Sequence, residues 1–414
     1  MFCSILFPDD HQIPHKEAKS EPSYFKDLNL AQIIRPILAG YKAYQLDGGF
    51  LTPLDNLNII QYRQDIMRDL ENDELRELIS SFCKTVFELN TFVNQTRKIL
   101  ASNEADQNDY LARGRMLDFA SQYCSVIIET ADGLKEKLIL SKGLQSFTDY
   151  LDDYQKSEKL ITLKTSVDNL KKELSTVHYC MLIKNGAIRV RKYEDQPDIS
   201  ADVRKLFTRF QQGNVHDYRH KLTEEPRADH VEVAVLKLVA TCYPDIFSDL
   251  SDFCTRNLEF INPVIVQFSR EIQFYLSWLN FIAPLKGKGL PFCYPRLSSG
   301  SDRLYDLNFF DLALAMSLGP EKKPVTNDFM LEPPERILVV TGPNQGGKTT
   351  YVRAFGQIHY LASLGLCIPG KEASLLLSDQ IYTHFEREED LSSLNGKLQD
   401  DKHSRRKRSY CKNF

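Results

Sequence analysis

A glycine-rich stretch that ends in lysine and threonine is the part of this sequence best suited to chemistry. Residues 342–349 read GPNQGGKT, which satisfies the pattern G-x-x-x-x-G-K-[ST]. Glycines let backbone N–H groups curve around a phosphate chain, and a helix that begins there adds its positive end. Lys348 is placed to reach the β- and γ-phosphates, and the Thr349 hydroxyl is placed to bind Mg²⁺. The stretch therefore predicts a nucleotide site.

The neighbouring residues predict the elements that such a loop needs. The run ILVV at 337–340 is apolar and β-branched, which is typical of a buried parallel strand. A helix is predicted from about Thr349 to Leu364, with Gly365 at its end and Pro369 just beyond. Strand, glycine loop and helix in this order are the context in which the motif binds phosphate.

A site that hydrolyses ATP also needs an acidic residue at the end of a second strand, to hold Mg²⁺ and polarise water. The closest match is the short apolar run 375–377, which Ser378 separates from Asp379 and which Gln380 follows in place of a second acid. We interpret this segment as an ordinary turn. The sequence therefore predicts nucleotide binding and leaves hydrolysis open.

The region from about 50 to 175 predicts two or three long amphipathic helices. Glycine and proline are almost absent there, and charged residues fill the face opposite the apolar one. Apolar residues recur at the spacing i, i+3, i+4, i+7 at Leu75, Leu78, Ile79, Phe82, Val86 and Leu89. An ordinary helical bundle without a function of its own is the competing interpretation.

Helical patterning returns from about 200 to 283. A second apolar stripe consists of Ile265, Phe268, Ile272, Leu276 and Leu279. Trp278 lies beside this stripe, and we predict that it is a core residue. Pro284 and the glycines that follow it end the region, so we predict a domain boundary near 285.

Between the two helical regions, residues 178–193 predict a β-hairpin with Asn185-Gly186 as its tight turn. Arg189 and Arg191 alternate with apolar residues, so they share one face of the second strand. Basic residues on and after this hairpin are candidates for salt-dependent contact with DNA phosphates, and a solvated basic face is the equal alternative. These candidates are Lys184, Arg189, Arg191 and Lys192 on the hairpin, then Arg204, Lys205, Arg209 and Arg219.

Composition and charge exclude some classes of protein. The chain has 414 residues, which predicts two or three domains, and 42% of them are hydrophobic, which is ample for packed cores. A formal net charge of −4 excludes binding of nucleic acid through overall positive charge, so such contact needs a local patch. No basic-flanked leader and no run of about 18 apolar residues is present, which predicts a cytoplasmic protein without a membrane span. Nine dispersed cysteines without a CxxC pair predict buried, reduced thiols.

Four segments together resemble one family. TGPNQGGKTTYVRAF (341–355) is similar to the ATPase loop of the MutS mismatch-repair family, in which TGPN-x-GGK-[ST]-T-x-x-R is characteristic. The approach at 324–340 and the stretch at 365–391, with its paired acids, also resemble that family. So does 50–78, with its PL…I-x-x-RQ opening. The likeness spans roughly 50–401 and is strongest over 324–391.

The resemblance implies a multidomain protein of the α plus α/β class. A long-helix core/lever domain is followed by an incomplete P-loop ABC-type ATPase domain, which the family uses as a dimer that encloses DNA. The predicted divisions are 1–48 as an N-terminal extension, 49–285 as the helical core/lever region, 286–401 as the N-terminal part of the ATPase domain, and 402–414 as a basic, disordered tail.

Three departures from the family pattern limit what is carried over. No mismatch-reading domain with a Phe-x-Glu wedge precedes the core, so mismatch recognition is in doubt. The family's Ser-Thr loop corresponds to 392–397, where Ser393 is the candidate. The second acidic strand and the switch histidine are not found before the tail. That tail is either a basic arm or the ending of a truncated gene product, and it contains Lys402, Arg405, Arg406, Lys407, Arg408 and Lys412.

The candidate site residues follow from the loop and from the resemblance. The phosphate and metal group consists of Gly342, Pro343, Asn344, Gln345, Gly346, Gly347, Lys348, Thr349 and Thr350. The resemblance implies that Asn344 faces the γ-phosphate and that Val325 stands where the family places an adenine-stacking residue. Val325 has no ring, so packing in the core is an equal alternative for it.

These observations leave three functional hypotheses. The first is an ATP-switched, Mg²⁺-dependent DNA clamp of the MutS type, which the resemblance implies is a homodimer. The second is an inactive fragment that binds nucleotide without hydrolysis. The third is a P-loop regulator that dimerises through its helices and does not bind DNA.

Overall fold

A computed structural model describes residues 2–9, 21–101, 110–184, 187–194, 230–300, 302–319, 321–343 and 345–385. The described chain divides into two compact units. The helical unit comprises Met1–Glu17 and Leu38–Pro284, and the loop unit comprises Ala18–Ile37 and Leu285–Phe414. The division after Pro284 falls at the position where the helical pattern of the sequence ends.

Helices dominate the described chain and the strands are short. The helices are α1 Tyr24–Asp27, α2 Leu30–Gly40, α3 Asp47–Leu51, α4 Leu57–Asp69, α5 Asp73–Ala101, α6 Tyr110–Lys135, α7 Lys142–Gln155, α8 Glu158–Ser175, α9 His230–Cys242, α10 Pro244–Arg256, α11 Pro263–Glu271, α12 Gln273–Gly287, α13 Leu312–Ser317 and α14 Lys348–Ser363. The strands are β1 Tyr179–Lys184, β2 Ala187–Lys192, β3 Phe292–Cys293, β4 Arg296–Ser298, β5 Leu304–Phe309, β6 Asn327–Leu331, β7 Ile368–Pro369 and β8 Glu372–Leu376.

The core of the helical unit forms where the long helices pack along their apolar faces. Helix α5 packs against α6 and α11, and α6 packs against α7 and α8. The predicted stripe on α5 is buried except for Leu78, which is half-buried at its edge. Side-chain caps begin several of these helices: Asn56 accepts a hydrogen bond from Asn58 N at 2.9 Å, and Ser157 accepts one from Leu160 N at 3.3 Å. The prediction of long amphipathic helices is confirmed, but the described residues of this region form five helices, α4 to α8, where two or three were predicted.

The second predicted stripe is also buried, but it belongs to two helices instead of one. Helix α11 ends at Glu271 and α12 begins at Gln273. Pro263 opens α11 at a position where a missing N–H costs nothing, and Asn262 caps it. Trp278 on α12 is fully buried, so the prediction that it is a core residue is confirmed.

The first residues of the chain dock into the helical unit. The rings of Phe2 and Phe147 meet edge to face, with their centroids 5.2 Å apart. Arg63 lies between the rings of Phe7 and Phe274, and its Nε donates a hydrogen bond to Leu6 O at 3.2 Å. Residues 2–9 have no helical or alternating pattern, and the sequence did not predict this docking.

The predicted hairpin is present. Strands β1 and β2 pair antiparallel, with Leu182 opposite Arg189 and Cys180 opposite Arg191. Its turn residues 185 and 186 lie outside the described residues. Helix α9 packs against β2, where Val190 is half-buried.

The loop unit contains a small mixed sheet in the order β4-β8-β5-β6. Strands β4 and β8 are parallel, whereas β5 pairs antiparallel with both β8 and β6. A second, two-stranded sheet joins β3 to β7. Helix α14 packs against β5 and β7. The described chain therefore combines an α-helical part with an α/β part.

The prediction of a buried parallel strand at 337–340 is wrong in this structure. These residues have no strand conformation, and Ile337 and Val339 are 80% and 75% exposed. A parallel strand that is buried on both faces needs hydrogen-bonded neighbours on its edges. Among the described strands of the sheet, none pairs with residues 337–340. Local apolar character alone therefore does not produce the strand.

Two further observations concern the described residues as a whole. No helix there combines the length and the apolar character that crossing a bilayer requires. Eight cysteines are described, all as thiols outside disulfide bonds, of which Cys83, Cys124, Cys254 and Cys367 are buried. The other four are half-buried, so the interpretation of buried thiols holds for half of them.

Candidate functional site

The glycine-rich stretch forms an exposed turn that leads directly into helix α14. Gly342 and Gly347 have φ angles of 155° and 82°, a region that L side chains rarely adopt, and this explains glycine at both positions. Gln345 adopts a φ of 67° between them. The N–H of Gly346 donates a hydrogen bond to Pro343 O at 3.1 Å and closes the turn. The backbone therefore has the tight curvature that a phosphate cradle needs.

The Lys348 ammonium lies inside this turn. Its Nζ donates hydrogen bonds to Gly342 O at 2.6 Å and to Pro343 O at 2.7 Å. Two neutral carbonyl oxygens hold the positive charge, and no ion pair joins Lys348 to a carboxylate among the described residues. The ammonium is therefore available to an anion that enters the turn.

The first turn of α14 adds backbone donors beside that charge. The first helical hydrogen bond runs from Tyr351 N to Gly347 O at 2.9 Å. The amides of Lys348, Thr349 and Thr350 precede it, so no carbonyl within the helix accepts from them. The Thr349 side chain is exposed and that of Thr350 is half-buried. The helix start therefore presents N–H groups and hydroxyls next to the lysine, an arrangement favourable to phosphate.

The sheet supports α14 close to the loop. The Tyr351 hydroxyl donates a hydrogen bond to Asp328 O at 3.1 Å, and its ring meets that of Phe309 edge to face at 5.0 Å. One turn later, the rings of Phe355 and Phe329 are 4.9 Å apart. Strands β5 and β6 thus fix the helix through aromatic contacts. The helix runs from 348 to 363, within one residue of the predicted span at each end, so that prediction is confirmed.

Of the other residues predicted to contact nucleotide, one is exposed and the others lie outside the described residues. Val325 is 81% exposed and lies before β6, so the alternative that it packs in the core is wrong. Its stacking role stays a prediction. Asn344 lies outside the described residues, as do Ser393 and the segment 392–397 around it. The geometry of the loop therefore rests on its glycines, Gln345, Lys348 and the two threonines.

Asp379, the weak candidate for a metal-binding acid, is exposed in a bend after β8. No hydrogen bond or ion pair joins it to the loop among the described residues. The described residues also contain no cluster of three or more His, Cys, Asp or Glu side chains that could hold a metal. The interpretation of Asp379 as part of an ordinary turn agrees with this placement.

The turn itself fits a phosphate chain with its Mg²⁺. A Cβ at Gly346 would stand 3.0 Å from Pro343 O and would crowd the inside of the turn. Glycine keeps that space open beside the Lys348 ammonium. The Thr349 hydroxyl, exposed at the start of the helix, is the oxygen ligand that this loop offers to the cation.

The hairpin presents its two arginines together. Arg189 and Arg191 are exposed on one face of β2, while Val190 between them is half-buried. Lys192 Nζ lies 4.9 Å from the centroid of the Tyr243 ring, so it is partly engaged within the helical unit. The side chain of Lys184 and residues 204, 205, 209 and 219 lie outside what the structure describes, as does the tail 402–414.

The structure also contains a buried acid that sequence reasoning missed. Asp306 on β5 is fully buried, and neither carboxyl oxygen has a hydrogen-bond partner among the described residues. Burial, and secondly the charge of Asp328, raises the pKa of Asp306 to about 8. A Cβ at Gly370 would overlap Asp306 Oδ1 and stand 3.0 Å from Oδ2, so glycine there accommodates the carboxyl. The pairing of β5 with β6 and with β8 brings these distant residues around Asp306.

Comparison with known proteins finds a family model that covers this loop. Residues 338–398 match the family model described as MutS domain V. That segment contains the whole turn and helix α14, together with the strands that follow them. The match therefore covers the loop whose geometry is described above.

Curated relatives extend the match beyond the loop. A DNA mismatch repair protein MutS from Microcystis aeruginosa is 26% identical over 269 residues, which cover 63% of this chain and 29% of that protein. MutS proteins from Chlorobium phaeobacteroides and Prochlorococcus marinus are 32% identical over 102 residues and 36% identical over 73 residues. These two matches cover 25% and 18% of this chain, and 12% and 8% of the respective relatives.

The family model and these relatives support membership of the MutS family. The chain spans less than a third of the length of the relatives that it matches. The sequence resemblance to this family is confirmed. The activity and partners of the whole relatives do not follow from matches of this extent.

Proposed function

We propose that the chain binds ATP with Mg²⁺ at the loop 342–350 and uses the bound nucleotide to control retention of DNA. The position of the Lys348 ammonium inside a positive-φ glycine turn, at the start of α14, carries this proposal. Membership of the MutS family supports it. This unit would be the loop-bearing part of an ABC-type P-loop ATPase domain.

Each loop residue has a distinct role in this proposal. Lys348 exchanges its two carbonyl partners for β- and γ-phosphate oxygens, which are stronger acceptors because they are charged. The amides after Gly347 donate to phosphate oxygens, and the Thr349 hydroxyl holds Mg²⁺. Asn344 faces the γ-phosphate, and Val325 contacts the adenine. Mg²⁺, when bound, neutralises phosphate charge.

DNA contact is assigned to the basic face of the hairpin. Arg189 and Arg191 stand on one exposed face and have the spacing of alternate strand residues, about 7 Å, which is close to the separation of successive phosphates on one strand of DNA. Such contacts depend on backbone charge and carry little sequence information. A structure-selective clamp in mismatch repair, acting as a homodimer, is the whole-protein role that we propose.

Retention of labelled DNA on a surface, with and without ATP, tests this function. We expect ATP to change the dissociation rate, and binding to weaken steeply between about 50 and 200 mM salt, the range over which phosphate contacts are released. Matched and mismatched duplexes distinguish repair-type selectivity from general binding. If no DNA structure is retained at low salt, with or without ATP, the chain is a nucleotide-binding protein that does not contact DNA.

A paired substitution locates the DNA contact. Replacing Arg189 and Arg191 by Ala removes two phosphate contacts, so the slope of log K against log salt should become shallower by about 1.8. Replacing Lys159 and Lys172, exposed on α8, is the matched control and should leave the slope unchanged. Equal slopes of log K against log salt for all three proteins would show that the hairpin does not contact DNA.

A second candidate function is nucleotide binding without hydrolysis. The observation that favours it is the absence of any carboxylate hydrogen-bonded or paired with the loop among the described residues, since water must be polarised for hydrolysis. Phosphate release with Mg²⁺ and ATP separates the two candidates. Turnover that disappears on Lys348→Ala would contradict the non-hydrolysing candidate, whereas release at the background rate supports it.

A further inference from the structure

One face of α14 is covered by a segment from near the start of the chain, residues 21–37, which we call the brace. Arg353, Gln357 and Tyr360 are spaced at i, i+4 and i+7 along the helix, and all three contact the brace. Arg353 Nε donates a hydrogen bond to Asp27 O at 3.1 Å. The rings of Tyr360 and Phe25 meet edge to face at 5.2 Å. The brace therefore lies along the helix that begins at Lys348.

Gln357 is the centre of this contact and is fully buried. Its Nε2 donates hydrogen bonds to Leu28 O and to Asp311 Oδ1, both at 2.9 Å. Its Oε1 accepts a hydrogen bond from Leu312 N at 2.8 Å. The Gln357 side chain thus connects α14 to the brace and to the start of α13 through three hydrogen bonds. A buried amide used in this way fixes position as well as contributing stability.

Gly356 brings the two backbones close together. A Cβ at this position would stand 2.9 Å from Leu28 Cδ1 and nearer still to Cδ2. Leu28 is itself buried, so its side chain has little room to move away. A methyl group on residue 356 would therefore push the brace and the helix apart. Glycine is explained here by packing, since the residue is in an ordinary helix.

We propose that the brace sets the axis of α14 and thereby the position of Lys348 in the loop, with Gln357 as a positioning residue for the nucleotide site. This inference rests on the proposed binding of ATP at that loop. Gln357 is nine residues beyond Lys348, about 13 Å along the helix. A tilt of about 5° at Gln357 would move the first turn by roughly 1 Å, a displacement large enough to misplace groups that bind a reacting phosphate.

The experiment compares a substitution that creates a steric clash with a double substitution that removes the clash. Gly356→Ala should separate brace and helix, and adding Leu28→Ala should remove the clash that the new methyl group creates. Two quantities are measured for each protein at a temperature at which circular dichroism shows it folded. These are the dissociation constant of a fluorescent ATP analogue with Mg²⁺, and hydrogen exchange at the amides of residues 348–351.

We expect G356A to weaken analogue binding at least fivefold and to speed exchange in the first turn of α14. The double variant should return both quantities to within twofold of the parent. If both stay at parental values in G356A, the brace does not position the loop and the inference is overturned. Restoration of thermal stability without restoration of these readouts overturns it as well.

Two further outcomes are informative. If the parent chain does not bind the analogue, the proposed function fails, and exchange at residues 348–351 alone decides whether the brace positions the helix. If G356A does not fold, Arg353→Met replaces it, because among the described residues this change removes the hydrogen bond to Asp27 O and the contact of the guanidinium with the Phe385 ring and no other. Faster exchange and weaker binding support positioning, and parental values overturn it.

Discussion

Replacement of Asp306 by Asn should change how the stability of the loop unit depends on pH. The Asp306 carboxyl is fully buried on β5, and neither oxygen has a partner among the described residues. Asparagine has nearly the same shape but cannot ionise. The substitution therefore removes the cost of charging this site while leaving the packing against Gly370 close to its present form.

The direction and size of the effect follow from the pKa. Burial raises the pKa of Asp306 from 3.8 to about 8, so the folded protein keeps a proton that the unfolded chain releases. The resulting stabilisation is complete below pH 3.8 and is lost as the pH rises through 8. At about 1.4 kcal/mol for each pKa unit, the upper limit of the loss is about 6 kcal/mol. Only the part between about pH 6 and pH 8, about 3 kcal/mol of that limit, falls within the range from about pH 6 to pH 9. Relaxation around a buried charge lowers it further, so we expect about 2 kcal/mol across that range.

Hydrogen exchange measures this effect where it acts. Trp278 lies in the helical unit, so its fluorescence does not report on β5. Peptides that cover 304–309 and 372–376 report the opening of the sheet directly. The ratio of protection in D306N to protection in the parent is taken at each pH, which cancels the intrinsic pH dependence of exchange. That ratio should rise about 30-fold between pH 6 and pH 9, the equivalent of about 2 kcal/mol.

An exposed carboxylate near β5 provides the control for this test. Asp302→Asn changes a half-exposed carboxylate just before β5, beside Arg296, and its ratio should stay constant with pH. A ratio for D306N that is also constant from pH 6 to pH 9 would show that Asp306 is ionised or solvated in the folded protein. The account of a neutral, buried acid would then be wrong.

Two further predictions concern the helical unit, where the buried Trp278 provides a fluorescence probe for urea unfolding. Arg63→Met removes the hydrogen bond to Leu6 O and the contacts with two aromatic rings, and should lower the free energy of unfolding by about 2 kcal/mol. An unchanged midpoint of urea unfolding would contradict the docking of residues 2–9. Asp69→Ala removes the carboxylate that accepts hydrogen bonds from two backbone amides at the start of α7, and should cost about 2 kcal/mol. The control Asp65→Ala breaks only exposed contacts and should cost less than about 1 kcal/mol; equal losses for the two acids would refute the assignment.

The parts of the fold that the sequence predicted are those set by local pattern. The apolar stripes on α5 and on α11–α12 follow helical periodicity, and packing of long helices buries such stripes in whatever order they meet. Helix α14 follows from the loop before it and from Gly365 after it, which has a φ of 80° at the helix end. These signals need no knowledge of distant residues.

The parts that the sequence did not predict depend on distant partners. The run at 337–340 has strand character, but a strand exists only where another strand offers its edge, and the described sheet offers none to it. The brace pairs residues more than 300 positions apart, such as Leu28 with Gln357. The buried residues of its helix α2 follow helical spacing, which predicts a helix but not the distant surface on which it packs. The burial of Asp306 depends on the register of β5 against β8. Each of these features is fixed by tertiary packing.

The candidate site also has a part that follows from local sequence and a part that depends on distant residues. Its chemistry is local, because glycines, lysine and threonine at fixed spacing predict a tight turn followed by a helix start without reference to distant residues. The elements that support the turn are not local. Tyr351 and Phe355 rest on strands from earlier in the chain, and Gln357 binds a segment from near its beginning.

Calorimetric titration of MgATP into the full chain tests the central claim most directly, because it measures whether the loop binds the phosphates. The parent and Lys371→Ala, an exposed lysine elsewhere in the loop unit, should bind with equal affinity. Lys348→Ala should weaken binding at least tenfold, since it removes the only ammonium held inside the turn among the described residues. Absence of binding by the parent, or equal binding by Lys348→Ala, would contradict the assignment of this loop as a nucleotide site.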